Sequence, residues 1–167
     1  MIIDNNKDHD HDIFSEYLEK VSLVSSIFSS YSLETKKRIK SFERICFILY
    51  AGKKDKYNEK AQLLIDKIID VIKNADAPQP VLILIFFCLR ILILRMSPEK
   101  LTKLFANLWQ MIMFLLMNIF KEPVKEQSRL NLVWAALKLI EMISIMRMSE
   151  FHQHQWMFFF DFIGIKF

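Results

Sequence analysis

Glycine is almost missing from this sequence: Gly52 and Gly164 are the only two in 167 residues, beside four prolines. So few of either leaves little material for tight turns. That argues against a β-sandwich or barrel and for long helices. Cysteine is as scarce. Cys46 and Cys88 each sit inside an apolar run. They make no disulfide framework and read as small core residues in a reducing compartment. The glycine count also excludes a glycine-rich phosphate loop. No Cys/His cluster has the spacing of a zinc site. The start, M-I-I-D-N-N-K-D-H-D-H-D, lacks the apolar run of a secretory signal. The expected place is the cytosol, or the cytosolic face of a membrane.

What the chain has is hydrophobic text, 53% of its residues, in a length sufficient for one domain with a sizeable core. The net charge of +4 is unevenly placed. Residues 1–80 carry 13 basic and 13 acidic residues, whereas 81–167 carry 10 and 6. The excess is too mild to point to nucleic acid, and none is expected as a partner.

The densest stretch is Val81 to Pro98, V-L-I-L-I-F-F-C-L-R-I-L-I-L-R-M-S-P. A membrane span needs about 20 apolar residues with few charges. This run is shorter, and an arginine inside it costs about 2.5–3.5 kcal/mol even on the lenient insertion scale. Apolar residues on every side mean burial on most sides. Pro80 can open a helix, so the run is expected to be the central helix of an all-helical stack. Arg90 and Arg95 then need partners, because buried unpaired charge is expensive. By sequence the candidates are Asp66, Asp70, Glu141 or the free carbonyls at a helix end.

Helical periodicity covers the rest. Residues 1–11 are polar and acidic and are expected to be disordered. A first helix is expected from about Asp12 to Ser29, with Phe14, Tyr17, Leu18, Val21, Val24 and Phe28 on one stripe. A second runs from the cap Ser32 to Gly52, with Ile39, Phe42, Cys46 and Leu49 inward. A third, about 56–74, carries Tyr57, Ala61, Leu64, Ile65, Ile68 and Ile72 in register. A-D-A-P-Q-P (75–80) is the clearest linker. After the central helix, Ser97-Pro98 caps a fifth helix to about Phe120, and a sixth runs from near Pro123 to near Arg147. Short connections make sequential helices antiparallel neighbours. Pattern alone leaves a closed bundle and a solenoid of helix pairs both open. Three units are expected: a polar segment 1–11, a helical domain 12–160 and a tail 161–167.

No catalytic constellation emerges, and neither an enzyme nor a cofactor is expected. His9 and His11 in D-H-D-H-D read as part of a solvated acidic segment, and His152 and His154, two apart, face different sides of any helix. Trp109, Trp134 and Trp156 lie on apolar stripes, as core or interface anchors. The one charged feature is basic: Lys36, Lys37, Arg38, Lys40 and Arg44, followed by Lys53, Lys54 and Lys56. Such a cluster attracts anionic lipid at about 1 kcal/mol per residue near the surface. Glu34, Glu43, Asp55 and Glu59 are interspersed, and a solvated face is the plainer reading. A solenoid unit would bring the two basic groups onto one edge.

The sequence resembles the C-terminal region of the Dopey family. The resemblance rests on L-R-I-L-I-L-R-M-S-P (89–98, with Leu89, Arg90, Leu94, Arg95, Met96, Ser97 and Pro98), followed by L-T-K-L (101–104). I-F-S-S (27–30), F-E-R-I-C-F-I-L-Y (42–50), W-A-A-L-K-L-I-E-M (134–142) and F-H-Q-H-Q-W-M-F (151–158) extend it, in order, over about residues 9–160. Phe105-Ala106-Asn107 before Leu108-Trp109 departs from the family pattern, as does the tail from Asp161. The resemblance implies an all-α chain of antiparallel helix pairs, an α-solenoid segment of the HEAT or armadillo kind. It implies a non-enzymatic scaffold, cytoplasmic and peripheral on Golgi and endosome membranes, acting in membrane trafficking and protein transport. The implied partner is a large Golgi scaffold protein related to Arf-activating factors. The alternative is a module that binds phosphoinositide or other anionic phospholipid.

Overall fold

The computed structural model describes residues 6–21, 31–73, 77–121 and 126–146. Among the described residues there are six helices and no strand: α1 (Asn6–Val21), α2 (Tyr31–Ala51), α3 (Asn58–Lys73), α4 (Gln79–Arg95), α5 (Pro98–Lys121) and α6 (Gln127–Ile145). The all-α expectation holds. Pro80 sits in the first turn of α4, where its missing N–H costs nothing. The polar text before Asp12 is not a separate segment from Asn6 onward. It forms the first turns of α1. Val24, Phe28 and everything after Met146, including Trp156, His152 and His154, lie outside the described residues.

Each expected stripe turns inward. Phe14, Leu18 and Val21 of α1 are buried, as are Phe42, Cys46 and Leu49 of α2 with Ile39 packed beside them. All six expected residues from Tyr57 to Ile72 are buried. α4 is covered most completely, burying nine residues from Val81 to Ile93. It lies between α2 and α6 and packs extensively on both, while α1 packs on α2 and α3 on α5. Even-numbered helices therefore form one layer and odd-numbered helices the other, the order expected of stacked helix pairs in a solenoid. Lys60 of α3 donates to the Ser15 hydroxyl of α1, and Tyr57 stacks on Phe14 with ring centroids 5.0 Å apart. Between the layers, α3 touches α4 little and α5 touches α6 little. Among the described residues no single helix is long and apolar enough to cross a membrane.

Candidate interaction surface

The family-like block 89–98 ends at a corner where two turns meet. α2 ends at Ala51 and α4 at Arg95, and the two C-terminal ends lie side by side. The Arg95 guanidinium donates to the Tyr50 carbonyl and lies over the Tyr50 ring, 4.9 Å from its centroid. The expected pairing of one arginine with a helix C-terminus is met here. It does not involve the carboxylates considered for it, and Asp66 instead accepts from Gln62 one turn before it. Arg90 is half-buried on α4, and its Nε is enclosed with no hydrogen-bond partner among the described residues. Asp55, in the α2–α3 turn, adopts a left-handed backbone, φ 62°. Its N–H donates to the Arg95 carbonyl at 2.8 Å. Its carboxylate accepts from the Ser97 N–H at 2.9 Å and faces Lys100 at 3.6 Å. The Ser97 hydrogen bond, with the Lys100 charge, holds the Asp55 carboxyl below its ordinary value. Leu89 and Met96 are buried and Leu94 is exposed. Pro98 opens α5. These residues brace one helix pair against the next.

Lys36, Lys37, Lys40 and Arg44 share the exposed face of α2 with Glu43, and Arg38 is half-buried. Lys53 and Lys54 are exposed beyond the end of the helix, and Lys56 lies over the Tyr57 ring, 5.3 Å from its centroid. At 1.5 Å per residue, Lys36 and Lys53 are about 25 Å apart along the helix axis. Between them the same face shows Phe47 and Tyr50, with Phe47 66% exposed. On the neighbouring helices of that layer, Phe87 and Leu94 of α4 and Trp134 of α6 are also exposed. Trp109 is buried in the core. Trp134 was singled out in the sequence as a core or interface anchor, whereas Phe47, Tyr50 and Phe87 were not, because each lies within an apolar run, where only packing tells the inward side from the outward. Among the described residues no group of His, Cys, Asp and Glu is placed to hold a metal ion.

The model of the family described as DOP1 C-terminal matches residues 1–165. That carries the likeness into the tail beyond Asp161, past the limit drawn from motifs. The chain is similar to Protein DOP1 homolog of Drosophila melanogaster, 27% identical over 130 residues, which are 75% of this chain and 5% of that protein. It is also similar to Protein pad-1 of Caenorhabditis briggsae, 25% identical over 174 residues, or 95% of this chain and 7% of that protein. The chain thus spans a small fraction of the length of these relatives. No solved structure matches it.

Proposed function

Since this chain belongs to the family of DOP1 C-terminal regions, the Dopey proteins, we propose that it is a non-enzymatic helical scaffold segment in Golgi–endosome membrane traffic and protein transport. The observation that supports a contact role is the outer face of the even-numbered layer. Leu33, Phe47, Tyr50, Phe87, Leu94 and Trp134 all stand exposed there. Large apolar side chains repeated along one side of a soluble chain mark an interaction site. The family resemblance supplies the kind of partner, a large Golgi scaffold protein related to Arf-activating factors. The test is to express the tagged chain in cells with Phe47→Glu and Trp134→Glu as a second form. The native chain should co-localise with Golgi and endosome markers and co-purify that scaffold, and the double variant should do neither. Diffuse distribution of both forms, with no scaffold recovered, would sink the reading.

A second reading has its own observation: Lys36, Lys37, Lys40 and Arg44 share a face with Phe47 and Tyr50. Cations beside aromatics suit an anionic lipid surface. Flotation on neutral and anionic liposomes separates the two readings. Charge reversal of Lys36, Lys37 and Lys40 should abolish any anionic binding.

A further inference from the structure

α4 has α2 on one side and α6 on the other, and a third side faces the odd-numbered layer. What it leaves open shares the fourth. Phe87 and Leu94 stand there, 46% and 54% exposed. Arg90 lies between them at helical spacing, three residues after one and four before the other.

The two arginines of this helix are held differently. Arg95 is satisfied inside the fold, on the Tyr50 carbonyl and ring. Arg90 has no ion pair and no hydrogen bond among the described residues. Its Nε is enclosed, so packing holds the stem, while the terminal nitrogens are not shut in with it. An enclosed N–H without an acceptor costs stability and gives the fold nothing in return. The guanidinium is thus fixed in place with its outer edge open and unpaired.

The neighbouring charges narrow what would answer it. Tyr50 meets Arg95, so by helix geometry Arg90 stands level with about Ile45 of α2. The charged residues of α2 within a turn of that level are Glu43 and Arg44, of opposite sign and both exposed. On α6, Lys138 and Glu141 are exposed one turn apart, again of opposite sign. These flanking pairs cancel, and neither carboxylate bonds to Arg90. One uncompensated positive charge is left, set among exposed Phe47, Phe87, Leu94 and Trp134. One carboxylate balances one guanidinium, and its two oxygens fit the fork. A phosphorylated headgroup carries more charge than a single arginine answers. Phe47 and Tyr50 stand on one side of the furrow between α2 and α4, Phe87 and Leu94 on the other. Such furrows accept a third helix.

We propose that this strip docks an amphipathic helix of a partner polypeptide, whose apolar face carries a single Asp or Glu that pairs with Arg90. The proposal rests on the reading of this face as a contact surface and adds the chemistry of what contacts it. Apolar side chains around the carboxylate exclude water and strengthen the pair. The fixed stem of Arg90 keeps the entropy lost on pairing small.

The test pans the full 167-residue chain against displayed helices of about eighteen residues, five turns. They are apolar along one face and randomised at its central position. The native chain should select Asp or Glu there, Arg90→Met apolar residues, and Arg90→Glu Lys or Arg. Replacing the acid of the best peptide by its amide should weaken binding to the native chain at least about tenfold, and leave binding to Arg90→Met unchanged. Phe47→Glu should abolish binding with unchanged circular dichroism. Arg90→Met should keep or raise the urea midpoint, since it removes an unsatisfied N–H. A clear fall would show that the fold itself uses the charge, and would overturn the proposal. No enrichment, no acidic preference, or the same acidic preference with Arg90→Met would overturn it too. So would anionic vesicles binding through Arg90 while no peptide does. Recovery of the Golgi scaffold from cells is a separate readout. Its failure with peptide selection intact would reject the scaffold as partner and keep the Arg90 pairing. Recovery that Arg90→Met leaves unchanged would overturn the pairing.

Discussion

At the scale of the residue, Asp55 does the most with the least. Its left-handed backbone, its N–H and both carboxylate oxygens all serve one corner. Because its pKa is lowered in the folded state, it stabilises the fold above the ordinary value of 3.8, and that contribution is lost as pH falls through the folded value. In urea titrations, Asp55→Asn should keep the backbone, since asparagine tolerates positive φ, yet lower the midpoint at pH 7 and flatten its fall below pH 4. Asp55→Ala should lower the midpoint further, as it loses the backbone preference as well. Equal midpoints for all three would show that the corner does not hold. None of this was legible in the sequence. Asp55 reads there as a charge among lysines, and its partners are about 40 residues away. Arg95 was half legible, since an arginine in an apolar helix demands a partner but its text does not say which.

The elements were legible where one face is apolar. α3 is the plainest case, with every residue of its expected stripe buried. α4 was legible in kind but not in orientation, because apolar text on all sides hides which residues face out. Phe86 is 0% exposed and its neighbour Phe87 46%. Phe86→Ala should therefore cost about 3–5 kcal/mol, measured by chemical denaturation, and Phe87→Ala less than about 1. Similar losses at both would place α4 differently. Gly52 ends α2 as expected, but for a reason of space, since its backbone is not left-handed. A Cβ there would lie 2.6 Å from the Tyr57 ring, and that ring is held against Phe14. Gly52→Ala should destabilise by about 1–3 kcal/mol through overpacking. No loss would mean that the ring swings aside freely.

Across the whole molecule the order of packing was the least legible feature. Short connections gave antiparallel neighbours, but only contacts between helices far apart in sequence separate a two-layer stack from a closed bundle. Those contacts fall chiefly on α4, the element covered on two sides by its own layer. Amide exchange should rank accordingly. The central amides of α4 should exchange slowest, near the rate of global unfolding, and the first turns of α1 fastest. Faster exchange in α4 than in α3 would refute its central place.

The corner also decides how the chain carries load. Tension between the α2–α3 and α4–α5 turns meets several hydrogen bonds in parallel, which must break together. At the far edge the layers touch little, and the Arg129 hydrogen bonds to the end of α5 are the chief polar contact between them among the described residues. The stack is stiff along one margin and compliant along the other, like a book held at its spine. Bending strain therefore collects at the fore-edge, and anything wedged there changes the angle between the covers.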